Sequence, residues 1–243
     1  MNLIITGATG VAGLNIYRAA LSDPSISAIT LLQRRPMPSW ASIPPNTKTT
    51  TIQHTDFSSY PPDLLARLAD ADAVVWAQGR SSRGVQEEEY TMLTLEYPVK
   101  FLGALKEAGA GKGEGKELRF VYISGEGADP SEKSSQMWAR VKGRAETALT
   151  SLSSTSPNLH VHIVRPGYFR PPRTSPSDWA NQRTRLESAA DRVLGPALGL
   201  LAPGLLTPLD EMARVVLGLA KGEWKEEGLV RNKRLRELAA GGV

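Results

Sequence analysis

The chain has 243 residues, 29 Lys and Arg against 25 Asp and Glu, a formal charge of +4 and 41% hydrophobic residues. That is the make-up of an ordinary soluble globular protein, long enough for one large α/β domain or a domain with a small appendage. The absence of cysteine excludes a disulfide framework, a thiolate nucleophile, an iron–sulfur cluster and a zinc–thiolate site, and the mild charge neither demands nor excludes an anionic partner.

Asn2–Thr6 is a short apolar β-type run with no basic segment before it, so no signal peptide is expected and the address reads as cytoplasmic. An amphipathic helical stretch follows from Val11 to Leu21. Ile26–Leu32 is the second strand, followed by a proline-rich loop from Pro36 to Pro45. Thr50–His54 reads as a third strand, Pro61–Leu68 as a helix opened by proline, and Ala73–Trp76 as a short buried strand. A helical pattern runs from Gln86 to Ala108 with a bend near Pro98, and the Gly/Lys-rich stretch Gly109–Lys116 is a surface loop. Leu118–Ser124 is the fifth strand. Asp129 as N-cap, Pro130 at N1 and Glu132 at N3 then start a helix whose Met137, Val141, Ala145 and Leu149 face the core. His160–Val164 is the sixth strand. Its two histidines share a face, but no acid cluster accompanies them, so ordinary strand positions are favoured and no metal site is expected.

Six strands alternating with helices imply an α/β, Rossmann-type doubly wound parallel sheet. The alternation ends after Pro166. Residues 1–165 therefore read as a nucleotide-binding domain and 166–243 as a small, mostly helical substrate-binding lid packed on it. Within the lid, one helical piece lies around Trp179–Val193, and Thr207–Asp210 opens another with Leu209, Met212, Val216 and Leu219 on its apolar face. The apolar run Val193–Leu206 is broken by Gly195, Pro196, Pro203 and Gly204, which excludes an ordinary membrane span. Lys221, Lys225, Arg231, Lys233, Arg234 and Arg236 are interleaved with Glu223, Glu226, Glu227 and Glu237, the pattern of a solvated helical face and not of a nucleic-acid patch.

The most informative segment is Thr6-Gly7-Ala8-Thr9-Gly10-Val11-Ala12-Gly13, between the first strand and the first helix. Gly7 allows the tight turn, Gly10 lets the backbone approach a pyrophosphate, and Gly13 lets the helix pack close to the sheet. The helix N-terminus offers free N–H groups and a partial positive charge, which suits a diphosphate. The second strand ends in Gln33-Arg34-Arg35. Two guanidinium groups without a carboxylate suit the 2′-phosphate of NADP better than the bare ribose of NAD.

On these residues the sequence resembles the short-chain dehydrogenase/reductase superfamily, and within it the atypical branch of NmrA-like and fungal nucleoside-diphosphate-sugar epimerase-like proteins. TGATGVAG matches the branch, with Thr9 and Val11 among the cofactor-contacting residues. Asp56-Phe57 resembles its adenine-contacting pair and Ala77-Gln78-Gly79 its turn beside the adenosine ribose. Tyr122–Asp129 and Val141–Glu146 resemble later blocks, and Arg165-Pro166-Gly167-Tyr168 the loop next to the nicotinamide. The resemblance implies NADPH as cofactor, a small-molecule substrate and a monomer or homodimer. It also implies catalytic work by a Tyr, a Lys four residues later and a Ser at the preceding strand end. Lys142 fills the Lys position, but Trp138 stands in place of the Tyr, and an indole N–H is no acid near neutral pH. Ser124 falls one residue before the usual Ser, whose place Gly125 takes.

Three readings stay open. An NADPH-dependent reductase of an aromatic or polyketide-like carbonyl would need Tyr168, Tyr122, Glu126 or water to handle the proton. A non-redox isomerase, dehydratase or cyclase would use Glu126 or Asp129. A protein without catalysis would sense the nucleotide or bind a protein partner in a regulatory role. Candidate catalytic residues are Lys142, Ser124, Tyr168 and Glu126, and Trp138, Trp179, Arg183 and Arg185 are candidates for the substrate side.

Overall fold

The computed structural model describes residues 1–172, 174–184, 187–188, 191 and 202–242. Seven parallel strands form one sheet in the order β3-β2-β1-β4-β5-β6-β7: β1 Asn2–Thr6, β2 Ala28–Gln33, β3 Thr49–Gln53, β4 Ala73–Trp76, β5 Leu118–Ile123, β6 Leu159–Arg165 and β7 Leu229–Arg231. The order reverses at β1, so the crevice between β1 and β4 opens at their C-terminal ends, the place where such sheets bind ligands.

One face of the sheet is covered by α1 (Val11–Ser22) and α7 (Leu209–Lys221), which bury Leu14, Ile16, Tyr17, Met212, Val216 and Leu219. The other carries α2 (Pro62–Leu68), α3 (Glu87–Thr91), α4 (Tyr97–Glu107) and α5 (Met137–Ser154). Phe101, Leu102, Leu105 and Leu149 of α4 and α5 pack there against Trp76 and Phe120 of the strands. The bend expected near Pro98 is a π-type turn over Met92–Glu96, with the Tyr97 N–H donating to the Met92 carbonyl. Proline lacks the N–H that an α-helix requires at this position, and the wider turn absorbs the defect.

Three sequence expectations need correction. Asp129 does not cap a helix. Its carboxylate accepts from the backbone N–H groups of Ser131 (2.9 Å) and Ser134 (2.7 Å), closing a local turn in which Glu132 has φ 58°, and α5 begins at Met137. An Asp side chain satisfies turn donors as readily as helix donors, which is why three helix-start signals misled. The basic C-terminal stretch is not one helix. It contains the end of α7 at Gly222, the seventh strand, and a helix α8 over Asn232–Ala239. In β7 only Val230 is buried, so no alternation announces the strand. Of the helix expected around Trp179–Val193, Pro176–Gln182 is helical (α6); Arg185 and residues 193–201 of the apolar run lie outside the described residues. No helix among the described residues is long and apolar enough to cross a membrane.

Candidate functional site

At the crevice, the β1–α1 turn has no room for side chains at Gly7 and Gly13. Gly7 has φ 70°, and a Cβ there would lie 2.4 Å from the Ala77 carbonyl oxygen; one on Gly13 would lie 2.1 Å from the Gly7 oxygen. These two glycines lock the loop between β4 and α1. At Gly10 the nearest atom to such a Cβ, the Gly7 oxygen, is 3.4 Å away, an ordinary contact distance, so this glycine is not required by packing. Gly10 is the N-cap of α1, no side chain caps the helix, and its first turn holds no acid. The leading N–H groups are thus left to an anion. Thr9 and Gly10 are exposed and Val11 half-buried, and the Thr9 carbonyl accepts from Gln182 Nε2 (3.1 Å), so α6 rests on the loop. A salt bridge from Arg18 of α1 to the buried Asp178 holds α6 there.

On the β2 side, Arg34 and Arg35 are exposed just past the strand, and neither guanidinium pairs with an acid among the described residues. Next to them the Gln33 side chain is 5% exposed with both amide atoms unpartnered, and across β1 the Gln78 amide nitrogen is likewise buried without a partner. Buried amides left this way call for a ligand or water to complete them. Asp56 is exposed, and hydrogen bonds from the Ser58 hydroxyl and N–H, then from Ser59, hold its carboxyl below the usual carboxylate range. The ring of its expected companion Phe57 is wholly buried against Trp76, Tyr60 and Tyr97, so no ring contact to an adenine is available. Ala77 is half-buried and Gly79 exposed at the turn after β4.

The β5 corner brings Ser124, Gly125, Trp138 and Lys142 together and removes most expected proton donors. Lys142 Nζ donates to the carbonyls of Ser124 (2.9 Å) and Ile123 (3.3 Å) and lies 5.7 Å over the Tyr122 ring. Burial pushes this ammonium down to about 8, against an opposing pull from Glu146. Ser124 is corrected as a catalytic hydroxyl: it is buried and donates to Glu146, which also takes two hydrogen bonds from Arg165. Glu126 is corrected as a free acid. It pairs with Arg231 and accepts from the Asn232 N–H (3.1 Å), tying the β5 loop to the start of α8. Tyr122 is buried with its hydroxyl on the Thr94 carbonyl (2.8 Å), and burial pushes its phenol well up. Tyr168 is exposed on the loop after β6, but its hydroxyl donates to Asp191 beneath the Arg183 guanidinium, and burial raises its pKa, so it is held as a neutral phenol on a carboxylate.

The loop expected beside the nicotinamide is pinned from below. Pro166 is buried and its carbonyl accepts from Glu126 N–H (2.8 Å); the Gly167 N–H donates to Thr207 Oγ1 (2.7 Å), which in turn donates to Asn232. Sequence reasoning missed Glu146, Asn232, Thr207, Asp178 and Asp191. Each is a buried polar residue whose partner is remote in the chain, and no local pattern marks it. Trp179 donates its indole N–H to the Pro172 carbonyl (3.1 Å), bracing the segment after β6. His162 is buried on the Glu227 carbonyl and His160 lies 3.7 Å from Glu117; no group of three or more potential metal ligands occurs among the described residues.

At Gly125 an added Cβ meets nothing closer than 3.8 Å, on Lys142, and 3.9 Å, on Trp138. Gly125→Ser is therefore expected to fold with a stability change within about 0.5 kcal/mol, measured by urea unfolding. A loss several times larger would show that the corner has no room for the missing hydroxyl.

No protein-family model matches the chain. A botcinic acid biosynthesis cluster protein of Botryotinia fuckeliana is 35% identical over 113 residues, 45% of this chain and 71% of the relative. A leucinostatins biosynthesis cluster protein of Purpureocillium lilacinum is 31% identical over 152 residues, 63% of this chain, and the match spans only 52% of that relative's length. Protein FMP52 of Candida albicans, named as mitochondrial, is 26% identical over 236 residues and 95% of this chain, covering 94% of its own. Further relatives in Emericella nidulans, Aspergillus fumigatus and Coccidioides immitis bear the same name and the same location. This overturns the cytoplasmic expectation; a chain without cysteine carries no redox mark of any particular compartment. Among solved structures, the reductase domain of PhqB from Penicillium fellutanum superposes with TM-score 0.69 at 17% identity over 95% of this chain and 66% of that one. The Pseudomonas aeruginosa RhlG/NADP complex superposes with TM-score 0.67 at 16% identity, over 95% and 93%. The chain belongs to the family of the Botryotinia fuckeliana protein and carries the short-chain dehydrogenase/reductase fold.

Proposed function

We propose that the chain is an NADP(H)-binding oxidoreductase of the atypical short-chain type that acts on a small carbonyl or alcohol, aromatic or polyketide-like. The observation that carries this reading is the uncapped N-terminus of α1, set behind Gly7 and Gly13, with two guanidinium groups at the end of β2 that have no acid partner among the described residues. The residues present fit the cofactor. The 7–13 loop would hold the diphosphate, Arg34 and Arg35 the 2′-phosphate, and Asp56 with Ala77–Gly79 the adenosine. The Gln33 and Gln78 amides, unpartnered among the described residues, sit at the C-terminal ends of β2 and β4 that flank the crevice. Lys142, Pro166 and Tyr168 would border the nicotinamide end, where the bound cofactor supplies or takes up hydride. Trp138 would wall the substrate side, and the segment after Pro166 would cover it. Two of the relatives named above belong to biosynthesis clusters, which supports an organic small-molecule substrate.

The experiment is the double substitution Arg34→Ala, Arg35→Ala. NADPH affinity should fall about 10–100-fold, the worth of one or two charge-assisted hydrogen bonds, while NADH affinity stays nearly constant. Equal losses for both nucleotides would sink the 2′-phosphate assignment. A second reading, nucleotide sensing without turnover, is favoured by one observation: every expected hydroxyl or carboxyl donor near the corner is absent or engaged. Its signature would be tight NADPH binding with no consumption of NADPH against any carbonyl compound.

A further inference from the structure

We propose that α6 sets the phosphate loop in its binding conformation, with Gln182 positioning the Thr9 carbonyl and the Arg18–Asp178 pair holding Gln182 in place. This rests on the reading of the 7–13 loop as a diphosphate site and goes beyond it by assigning positioning residues far along the chain. The Gly10 N–H donates to the Gly7 carbonyl (2.9 Å), and the Gly10 carbonyl accepts from the Leu14 N–H (2.9 Å), so both backbone groups of Gly10 are fixed within the turn. The N–H groups of Val11, Ala12 and Gly13 are the orphan donors of the first helical turn, the groups that a diphosphate would take. The Thr9 carbonyl precedes them on an exposed residue, and turned toward them its lone pairs would repel an anion. Gln182 Nε2 donates to this carbonyl (3.1 Å) and keeps it on the α6 side. The amide must present its nitrogen here, because two facing oxygens would repel. Its own oxygen is buried without a partner among the described residues, so no other hydrogen bond competes for the orientation of the amide.

Gln182 lies 173 residues from Thr9 in the chain, and α6 is brought to the loop by ties on two sides. Arg18, about two turns along α1, gives Asp178 two hydrogen bonds (2.5 and 3.1 Å) and donates a third to the Ala41 carbonyl in the loop after β2. Asp178 is 0% exposed, so its carboxylate depends on Arg18 for a charge partner. On the other side, Trp179 and Arg183 donate to the Pro172 and Phe169 carbonyls (3.1 and 2.7 Å), joining α6 to the loop after β6. One short helix thus connects the diphosphate loop with the loop expected at the nicotinamide end. Gln182 acts through the Thr9 carbonyl, and Arg18 and Asp178 act through Gln182. All three are positioning residues.

Calorimetric titration of nucleotide-free protein with NADPH and with 2′-AMP separates the two halves of the site, because 2′-AMP carries the phosphate for Arg34 and Arg35 but no diphosphate. Gln182→Ala should weaken NADPH binding about 3–10-fold, the worth of one hydrogen bond, and leave 2′-AMP unchanged. Gln182→Glu sets an acceptor against the Thr9 carbonyl and should weaken NADPH further, again without effect on 2′-AMP. Asp178→Asn should cost a factor similar to that of Gln182→Ala. The double variant should lose no more than the larger single loss, because both changes act through one bond. Urea unfolding shows which variants fold, and Gln182→Ala, a truncation of a half-buried side chain at the end of α6, decides the matter by itself if Asp178→Asn does not. Unchanged NADPH affinity in Gln182→Ala, equal losses for NADPH and 2′-AMP, or losses that multiply in the double variant would each overturn the assignment. Failure of the wild type to bind NADPH would instead overturn the oxidoreductase reading on which it rests.

Discussion

Glu146→Ala should lower the unfolding free energy by about 3–5 kcal/mol, the cost of leaving one partner of a buried ion pair uncompensated. The side chains of Glu146 and Arg165 are 6% and 11% exposed. Arg165 gives two hydrogen bonds to this carboxylate and Ser124 gives a third. Removing it strands a guanidinium and a hydroxyl inside the protein. The effect should exceed that of any surface pair, such as Lys116–Asp70, where exposed ions are worth about 1 kcal/mol or less. Urea unfolding of the wild type, Glu146→Ala and Glu146→Gln checks this, with the amide variant between the other two because it keeps an acceptor for Ser124. A loss under about 1 kcal/mol for the alanine variant would mean that solvent reaches the pair and that the tie between β5, α5 and β6 is weak.

The second large effect concerns chemistry. Gly125→Ser with Trp138→Tyr places a hydroxyl and a phenol on either side of the Lys142 stem, the arrangement that the resemblance to reductases implies. A Cβ at position 125 meets only ordinary contacts, and a tyrosine is smaller than the indole it replaces. NADPH oxidation with 9,10-phenanthrenequinone as the probe carbonyl should rise about 100-fold or more over wild type, the usual contribution of a positioned proton donor. An unchanged rate would show that Trp138 is part of a different chemistry and not the remnant of a reductase.

Much of the stretch from β1 to β6 was legible in the sequence, for local reasons. Runs such as Asn2–Thr6 and Ala73–Trp76 are short, apolar and bounded, and they emerge as strands at those bounds. The glycine spacing carries its own geometric test, and Gly7 and Gly13 meet it through backbone approaches that no other residue permits. What failed was remote. Asp129 has the residue type of a helix cap, but its donors come from the turn that Ser131 and Ser134 make. Glu126 reads as a free loop acid until the junction of β7 and α8 delivers Arg231 and the Asn232 N–H more than a hundred residues later. Phe57 sits beside a polar neighbour in a loop, and only the packing of α4 shows that its ring belongs to the core. Partners brought together by the sheet leave no trace in spacing, whereas turns and periodicities do.

The central claim is that the glycine loop and the Arg34–Arg35 pair bind a phosphorylated dinucleotide. Calorimetric titration of nucleotide-free protein with NADPH, and in parallel with NADH, tests it most directly. The account predicts one NADPH per chain, bound at least about tenfold more tightly than NADH, a difference of about 1.4 kcal/mol. Equal affinities would contradict the assignment of Arg34 and Arg35, and no binding of either nucleotide would contradict the site itself.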